Sequence, residues 1–314
     1  MGPGNTCYIL NPASRRGKSR PFQAALREYL ARAQPEAEVF VTEGPGHAVR
    51  LAKAAGEGGC RRLFSVGGDG TLNEVVNGLM ALPREQRPAV GLLSTGTGGD
   101  FFRYLKELHP YPQGFSWLLQ PAVRPCDVGK ASIGRVGAET CRYFMNIADA
   151  GISGEVVRRV GTSRRLLGAL EYLRATIQAA ARFKPPRVQA RLWLRDGETW
   201  EAPMDLLLAV AANSRYFGGG MCIAPDAKLD DGEFFFLVAE KVSYLTLVRQ
   251  LPRIYSKRPI LHPKVRYFSG TKMELEAASG SIPIGLDGEF LEGPRVAFEI
   301  LPQSLDILVP SPQP

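Results

Sequence analysis

Residues 63–78 read LFSVGGDGTLNEVVNG, and this stretch decides the fold. Its first four residues have the short apolar pattern of a buried parallel strand. Three glycines follow within residues 67–70, where they let the backbone turn sharply and bring its N–H groups against a phosphate. Thr71 and Glu74 have the spacing of a capping box, so we predict Thr71 as the N-cap of the next helix. The stretch therefore predicts a strand, a turn and a helix whose N-terminus faces an anion.

Similar units precede and follow this stretch. Short apolar runs predict strands at residues 8–10, 39–41, 63–66 and 90–93, and helical periodicity predicts helices at 22–30, 48–55 and 72–79. Strands that alternate with helices indicate a parallel sheet covered on both faces. Ligands of such sheets bind at the carboxyl ends of the strands. We predict an α/β nucleotide-binding domain with a parallel sheet over residues 1–127.

The turns after the neighbouring strands also favour a nucleotide site. Residues 11–19, NPASRRGKS, differ from a Walker P-loop because Pro12 stands where the first glycine is required. Residues 94–101, STGTGGDF, form a second glycine-rich turn, but they lack the third glycine of a dinucleotide fingerprint. We therefore predict one shared nucleotide site and disfavour hydride transfer. Asp69 is well placed to reach a Mg²⁺ ion that bridges phosphates.

The pattern changes from residue 127 onward to alternation and hairpins. Asp196-Gly197 favours a tight turn between strands at residues 188–193 and 200–208. Further strands are predicted at residues 265–268, 273–275, 282–286 and 296–300, and helices at 165–182 and 243–255. We predict that this second half, residues 128–300, is a separate and mostly antiparallel β domain.

Composition excludes several classes of protein. A length of 314 residues favours two domains. The five cysteines are scattered without a CxxC pair, and the three histidines are equally dispersed, so a disulfide framework, a zinc knuckle and an HExxH metalloenzyme are disfavoured. We find no secretory signal and no apolar run that could span a bilayer, and we expect a cytoplasmic protein. The oligomeric state, including a homodimer, stays open.

The net charge of +8 is unevenly distributed. Residues 158–195 carry +9 and residues 241–272 carry +8, which leaves −9 for the remainder. Such segments favour peripheral contact with an anionic membrane surface, although an ordinary solvated surface is the alternative. Apolar residues at helical spacing within 166–177 could dip into the interface, but packing against the β domain accounts for them more simply. We expect no nucleic-acid partner because no recognised binding motif is present.

The motifs, in this order, resemble the diacylglycerol kinase and sphingosine kinase superfamily, especially its bacterial cytosolic lipid kinases. They are NPxSxxGK at 11–18, GGDGTxNEVxNG at 67–78, GTGxDFxR at 96–103, GGGMxIxPxAxxDDG at 218–232 and DGE at 287–289. These matches span almost the whole chain, whereas GGDG alone would also fit nicotinamide-dinucleotide kinases and phosphofructokinases. One departure is Gly99, where the family usually has Asn.

The resemblance implies an ATP- and Mg²⁺-dependent kinase that acts on a lipid hydroxyl of diacylglycerol-like or related type. It also implies a C-terminal β-sandwich and a final segment, residues 301–314, that returns to the first domain. The alternatives are a soluble-substrate kinase of the NAD kinase type and a non-catalytic lipid-binding regulatory protein. The predicted nucleotide-binding residues are Asn11, Thr42, Gly67, Gly68, Asp69, Gly70, Thr71, Asn73, Glu74, Thr95, Gly96, Thr97 and Gly98.

Two acidic clusters in the second half complete the predicted site. The oxygen-rich loop at residues 228–233 has the character of a hard-cation site, with an Asp-Gly turn as the alternative. By resemblance, Asp231 gives its side chain to a structural Mg²⁺, while Lys228 and Glu233 give main-chain carbonyls. The predicted base, a group that accepts the proton of the attacking hydroxyl, is Asp287 or Glu289. The resemblance also places Asp127 near the magnesium site, with an ordinary aspartate at the junction of the two domains as the alternative. Asp69 is counted as both a metal-binding and a catalytic candidate.

Overall fold

The computed structural model describes residues 6–95, 99–162 and 183–311. The chain divides into two compact units. Unit 1 comprises Met1–Cys126 and Gln303–Pro314, and unit 2 comprises Asp127–Pro302. The helix predicted at residues 165–182 lies outside the described residues, as do Gly96, Thr97 and Gly98.

Unit 1 contains the predicted alternation of strands and helices. Its elements are β1 (Thr6–Leu10), α1 (Arg20–Ala33), β2 (Glu38–Val41), α2 (His47–Glu57), β3 (Arg62–Gly67), α3 (Asp69–Met80), β4 (Ala89–Ser94) and α4 (Asp100–Leu108). The parallel strands have the order β2-β1-β3-β4, and the end of the chain adds a further parallel strand beside β4, where Ile307 pairs with Val90. The carboxyl ends of β1, β2, β3 and β4 therefore lie at one edge of the sheet.

Two glycines allow close packing around the strand and the helix that flank the glycine turn. Tyr8 and Phe64 stack in the core with ring centroids 5.0 Å apart. A Cβ at Gly91 would lie 2.4 Å from the Phe64 ring, so only glycine leaves room for that ring. A Cβ at Gly78 of α3 would lie 2.3 Å from the carbonyl oxygen of Val49 in α2. The two helices consequently pack backbone to backbone, and α3 is held firmly beside α2.

Unit 2 is built around antiparallel strands. Its elements, two of which begin or end in unit 1, are β5 (Ala122–Arg135), β6 (Ala138–Phe144), β7 (Ile147–Gly151), α5 (Ile152–Thr162), β8 (Arg187–Leu194), β9 (Thr199–Ala212), β10 (Tyr216–Phe217), β11 (Met221–Cys222), β12 (Phe234–Glu240), α6 (Tyr244–Tyr255), β13 (Val265–Ala277), β14 (Ile282–Leu286), β15 (Glu289–Gly293) and β16 (Arg295–Val309). The main sheet has the order β15-β14-β7-β9-β12-β13-β16, and β8 pairs with both β9 and β13.

Both faces of the unit 2 sheet are buried. Ala148 and Ala150 contribute to one apolar cluster, which also contains Phe144, Phe234 and Phe298. Ile147 contributes to a second cluster, together with Ile254 of α6. Successive residues of a strand point to opposite faces, so β7 separates the two cores. The fold class, a parallel α/β part followed by an antiparallel β-sandwich-like part, is confirmed.

The structure differs from the predicted strands at Gly270. The strands predicted at residues 265–268 and 273–275 form a single strand, β13. Its pairing with β8 changes register between Gly270 and Lys272, where a Cβ at Gly270 would lie 2.1 Å from the Trp193 carbonyl oxygen. The glycine that suggested a break therefore marks a bulge with close backbone contact. The helix predicted at residues 243–255 is confirmed as α6, with Ser243 as its N-cap.

Candidate functional site

The predicted capping box at the glycine turn was wrong. Helix α3 begins at Asp69 with Gly68 as its N-cap, so Thr71 lies inside the first turn. The Thr71 hydroxyl instead accepts a hydrogen bond from Asn11 Nδ2 at 3.0 Å. The Glu74 carboxylate reaches the start of α2, where it accepts from the backbone N–H groups of Gly46 at 2.9 Å and Ala48 at 3.1 Å. Glu74 therefore caps the neighbouring helix, and it joins α2 to α3 through charge-assisted hydrogen bonds.

A small cavity at the carboxyl ends of β1 and β2 brings together several predicted nucleotide-binding residues. It has a volume of about 200 Å³, and Asn11, Thr42, Thr71 and Glu74 are among the residues that line it. The neighbouring turn is also open, because a Cβ at Gly68 or Gly70 would meet no atom within 4 Å. This arrangement leaves the turn accessible to a ligand.

Two further predicted nucleotide-binding residues, Thr95 and Asn73, form hydrogen bonds within unit 1. Thr95 follows β4, donates its backbone N–H to the Gly67 carbonyl at 3.0 Å, and shares a hydroxyl hydrogen bond with Ser14 at 2.9 Å. Thr95, in the turn after β4, therefore connects the turn after β1 with the glycine turn after β3. Asn73 is buried within α3, and its Oδ1 accepts from Asn77 Nδ2 at 3.1 Å. Its side chain thus has a partner one helical turn along α3.

The Asp69 carboxylate lies at the N-terminus of α4. Its Oδ2 accepts from the backbone N–H of Asp100 at 2.8 Å, whereas its buried Oδ1 has no hydrogen-bond partner among the described residues. Burial, reinforced by the nearby Asp100 carboxylate, raises the pKa of Asp69 to about 6. A buried carboxylate oxygen without a donor, beside a second carboxylate, fits a cation.

Gly99 provides the space that Asp69 occupies. A Cβ at residue 99 would lie 2.7 Å from Asp69 Oδ1, too close for the present side-chain position. The backbone φ of Gly99 is −62°, which any residue adopts, so the requirement is for space and not for a special conformation. The glycine that stands at residue 99 in place of the usual Asn therefore allows the observed position of the Asp69 carboxylate.

In unit 2, Asp127 contacts the predicted cation loop directly. Its buried carboxylate accepts from the Gly232 N–H at 2.7 Å, and its own N–H donates to the Leu229 carbonyl at 2.6 Å. Asp231 Oδ1 accepts from the Glu233 N–H at 3.3 Å, and the Glu233 carboxylate pairs with Arg195 at 3.2 Å. These contacts bring together Asp127 and residues 228–233. Among the residues that the structure describes, no three His, Cys, Asp or Glu side chains are grouped to hold a metal.

The two acids of the DGE motif differ in their surroundings. Asp287 and Gly288 form the two-residue turn between β14 and β15, with φ values of 46° and 88° that fit a type I′ turn. The Asp287 carboxylate accepts three hydrogen bonds of 3.1 to 3.2 Å from the backbone N–H groups of Met145, Asn146 and Ile147. Glu289 is exposed at the start of β15, and its carboxylate has no partner within the described chain. Asp287 thus orders the turn, and Glu289 is available for chemistry.

The sequence prediction missed a buried aspartate beside this turn. Asp149 lies in β7 opposite Gly285 of β14, and it accepts a hydrogen bond from the Ser153 hydroxyl. Burial raises the pKa of Asp149 to about 7, and the Asp287 carboxylate acts in the same direction. A Cβ at Gly285 would lie 2.5 Å from the Asp149 carboxylate, so the glycine makes room for the acid. The available signal was an acid within the otherwise apolar or small residues of IADAG at 147–151.

A glycine turn with an accessible backbone and a buried carboxylate, in an α/β unit followed by a β unit, defines a nucleotide-dependent phosphotransferase. Residues 5–131 match the family described as the diacylglycerol kinase catalytic domain. Residues 146–309 match the family described as the YegS C-terminal NAD kinase beta sandwich-like domain.

Individual relatives cover nearly the full length. A Chromohalobacter salexigens protein named "Probable lipid kinase YegS-like" is 33% identical, with 98% of this chain and 94% of the relative covered. A diacylglycerol kinase of Bacillus subtilis is 28% identical, with 90% and 88% covered. The crystal structure of a diacylglycerol kinase from Bacillus anthracis shares the fold with a TM-score of 0.69 at 20% identity, covering 98% of this chain and 97% of that one.

The chain belongs to the diacylglycerol kinase superfamily, and it is a lipid kinase, a phosphotransferase with an alcohol group as acceptor. As a kinase it uses a nucleotide. No helix within residues 6–95, 99–162 and 183–311 is both long and apolar enough to cross a lipid bilayer.

Proposed function

We propose that the protein transfers the γ-phosphate of ATP, with Mg²⁺, to the hydroxyl group of a diacylglycerol-like lipid. The observation that carries this proposal is the buried Asp69 Oδ1, which has no hydrogen-bond donor among the residues that the structure describes. The names of the relatives, diacylglycerol kinase and lipid kinase, support the class of acceptor. The reaction would depend mainly on positioning and charge stabilisation, because phosphoryl transfer demands little covalent chemistry from the protein.

The nucleotide would bind at the carboxyl edge of the unit 1 sheet. The N-terminus of α3 and the open backbone at Gly68 and Gly70 provide N–H groups for the phosphates. Asn11, Thr42 and Thr71 line the adjacent cavity and supply polar contacts. The motif residues Gly67, Gly96, Thr97 and Gly98 are included in this proposal because they belong to the two glycine-rich turns.

Asp69 is the residue best suited to a nucleotide-bound Mg²⁺. When bound, that ion would neutralise charge that develops on the phosphates during transfer. Burial and the nearby Asp100 carboxylate raise the pKa of Asp69 because both disfavour its ionised form, and a bound cation would offset that cost. Asp231, with the carbonyls of Lys228 and Glu233, would hold a second, structural Mg²⁺, since these are the hard oxygen donors that Mg²⁺ prefers. Asp127 would support the second site through its hydrogen bond to Gly232.

Glu289 is our proposed base for the lipid hydroxyl. A base needs a carboxylate that can accept the proton of the attacking group. Three backbone N–H groups already occupy the Asp287 carboxylate, whereas Glu289 is exposed. Asp287 would then act as a positioning residue that fixes the turn from which Glu289 projects.

The proposed lipid acceptor implies that the protein acts at a membrane surface. A diacylglycerol-like substrate resides in a bilayer, so we propose peripheral association with an anionic membrane surface. The six exposed or half-exposed basic residues within 241–264, a segment without acidic residues, support this association.

Transfer of labelled phosphate from ATP provides the test of function. We expect labelling of a lipid in a total lipid extract, dependence on Mg²⁺, and no transfer to NAD. Asp69→Asn and Glu289→Gln should each abolish labelling while leaving the melting temperature unchanged. Transfer to NAD in place of lipid would support the dinucleotide kinase alternative, and transfer to neither acceptor would support a non-catalytic lipid-binding protein.

A further inference from the structure

Helix α6 and the loop that follows it present an unusual concentration of positive charge. Residues 241–264 contain six basic residues and no acidic residue. Lys241, Arg249, Arg258 and Lys264 are all exposed. We call these four residues, together with Leu245 and Leu261, the α6 surface.

The cations of the α6 surface differ from other arginines of unit 2. Within the described chain, no carboxylate forms an ion pair with Arg249, Arg258 or Lys264. In contrast, the arginines of β8 and the following turn have acidic partners, namely Arg187 with Asp205, Arg191 with Glu201 and Arg195 with Glu233. The charge of the α6 surface is therefore available to an external anion, whereas that of the β8 arginines is locally compensated.

Two large apolar side chains lie among these cations. Leu245 is 63% exposed and Leu261 is 66% exposed. Leu245, Arg249 and Pro252 follow one another at helical spacing along the exposed side of α6. On its opposite side the helix packs into the unit 2 core through Ile254. The exposed Leu245 therefore precedes Arg249 and Arg258 in the chain, and the exposed Leu261 follows them.

Hydrogen bonds hold the loop in position after α6. Arg253 Nε donates to the Pro259 carbonyl at 3.1 Å, and the Arg258 N–H donates to the Arg253 carbonyl at 3.0 Å. The Ile260 N–H donates to the Tyr267 hydroxyl at 2.7 Å. These bonds order residues on both sides of Arg258, and Leu261 follows directly. Ordering before binding lowers the entropic cost of docking.

We infer that the α6 surface docks on an anionic lipid bilayer, with Leu245 and Leu261 entering the headgroup region and the cations contacting lipid phosphates. The choice of a membrane as occupant rests on the proposed function. It is also favoured by chemistry, because exposed cations without a carboxylate partner in the described chain, together with exposed leucines, match an interface with anionic headgroups above acyl chains. A nucleic acid would match the cations but would leave the leucines unused.

Vesicle co-sedimentation without nucleotide tests the inference. Wild-type protein is mixed with phosphatidylcholine vesicles that contain or lack phosphatidylglycerol. The test variant combines Arg249→Gln, Arg258→Gln and Lys264→Gln. The matched control, with the same change in net charge, combines Arg187→Gln, Arg191→Gln and Arg195→Gln. We expect the test variant to bind anionic vesicles about tenfold more weakly or worse, and the control to bind within about twofold of wild type.

A second pair of variants separates insertion from charge. We expect Leu261→Ser to weaken vesicle binding about threefold or more. We expect Val136→Ser, at a 78% exposed position of the turn between β5 and β6, to have little effect. Equal losses in both charge variants, or undiminished binding of the test variant, would overturn the inference. So would wild-type binding that does not require phosphatidylglycerol, or loss of binding to a duplex oligonucleotide in the test variant without loss of vesicle binding.

Kinase assays keep this inference separate from the proposed function. Lipid dispersed in neutral detergent micelles presents the acceptor without an anionic surface. We expect the test variant to retain wild-type activity in micelles while losing vesicle binding. A parallel loss of micelle activity and melting temperature in the test variant would count against a docking role. An inactive wild type that still binds anionic vesicles through the α6 surface would contradict the proposed function alone.

Discussion

Two regions of this kinase place an aspartate beside a glycine in a tight turn, yet they use the acid in opposite ways. In the glycine turn of unit 1, the Asp69 carboxylate accepts from the Asp100 N–H, and its buried Oδ1 has no hydrogen-bond partner within the part of the chain that the structure describes. In the β14–β15 turn of unit 2, the Asp287 carboxylate accepts from three backbone N–H groups. An acid with an unmet oxygen is suited to a ligand, and an acid with three donors stabilises the fold.

The comparison extends to the residues next to each aspartate. Gly99 leaves room for Asp69, and Gly285 leaves room for Asp149 beneath the β14–β15 turn. Burial raises the pKa of both Asp69 and Asp149. Each region therefore contains a buried carboxylate whose ionised form is disfavoured. In each, the neighbouring glycine provides the space that the carboxylate occupies.

The largest expected effect is on the pH dependence of stability at Asp149. Its pKa rises on folding from 3.8 to about 7. The folded state therefore binds more protons, so the contribution of Asp149 favours folding below about pH 4 and is lost as the pH rises through about 7. At about 1.4 kcal/mol per pKa unit, the loss is on the order of 4 kcal/mol. Asp149→Asn should flatten this fall when urea unfolding is measured from pH 4.5 to 8. An identical pH profile in the variant would show that Asp149 does not titrate in this range.

Asp69→Asn should reduce turnover while the fold stays intact. Removal of the charge that we propose holds the cation should cost about 3 kcal/mol or more in transition-state stabilisation, which is at least a hundredfold in rate. The measurement is steady-state kinetics with lipid acceptor, accompanied by thermal unfolding. Activity within threefold of wild type, with an unchanged melting temperature, would remove Asp69 from the site.

Asp287→Ala should show the converse pattern, with loss of stability as its primary effect. The substitution leaves three backbone N–H groups without their acceptor and places alanine at a positive φ. We expect about 2 kcal/mol of destabilisation in urea unfolding, since the turn is only half-buried and water can replace part of the loss. Glu289→Gln serves as the control, with activity lost at unchanged stability. If Asp287→Ala were as stable as wild type but inactive, Asp287 would become the better candidate for the base.

Local pattern was sufficient for much of the fold. The strands β1, β3 and β4 were predictable because buried parallel strands are short apolar runs bounded by turn residues, and all three have that form. The edge strand β2 is only partly buried, but its run at residues 39–41 has the same short apolar pattern. Strand β13 was divided in the prediction because Gly270 resembles a break, whereas the pairing of β8 determines that it is a bulge. Local periodicity does not reveal which distant segments pair with each other.

The same limit applies to the site. The motif predicted which turn faces the nucleotide, but the partner of Glu74 lies in another helix, and the capping-box spacing pointed to the wrong one. The roles of Asp287 and Glu289 could not be separated by sequence, because the three N–H donors come from residues about 140 positions earlier in the chain. Asp149 was missed because burial, and not residue type, gives it an unusual pKa.

The smallest expected effect, and the most direct test of the space beside Asp69, is that of Gly99→Ala. The new Cβ would lie 2.7 Å from Asp69 Oδ1, so the carboxylate must move, although the backbone conformation accepts alanine. We expect about a tenfold loss of kcat/KM, or about 1.4 kcal/mol, with little change in stability. The double variant with Asp69→Asn is the control. If Gly99 acts through Asp69, adding Gly99→Ala to Asp69→Asn should cost nothing further, whereas additive losses would show that residue 99 contacts the nucleotide by itself.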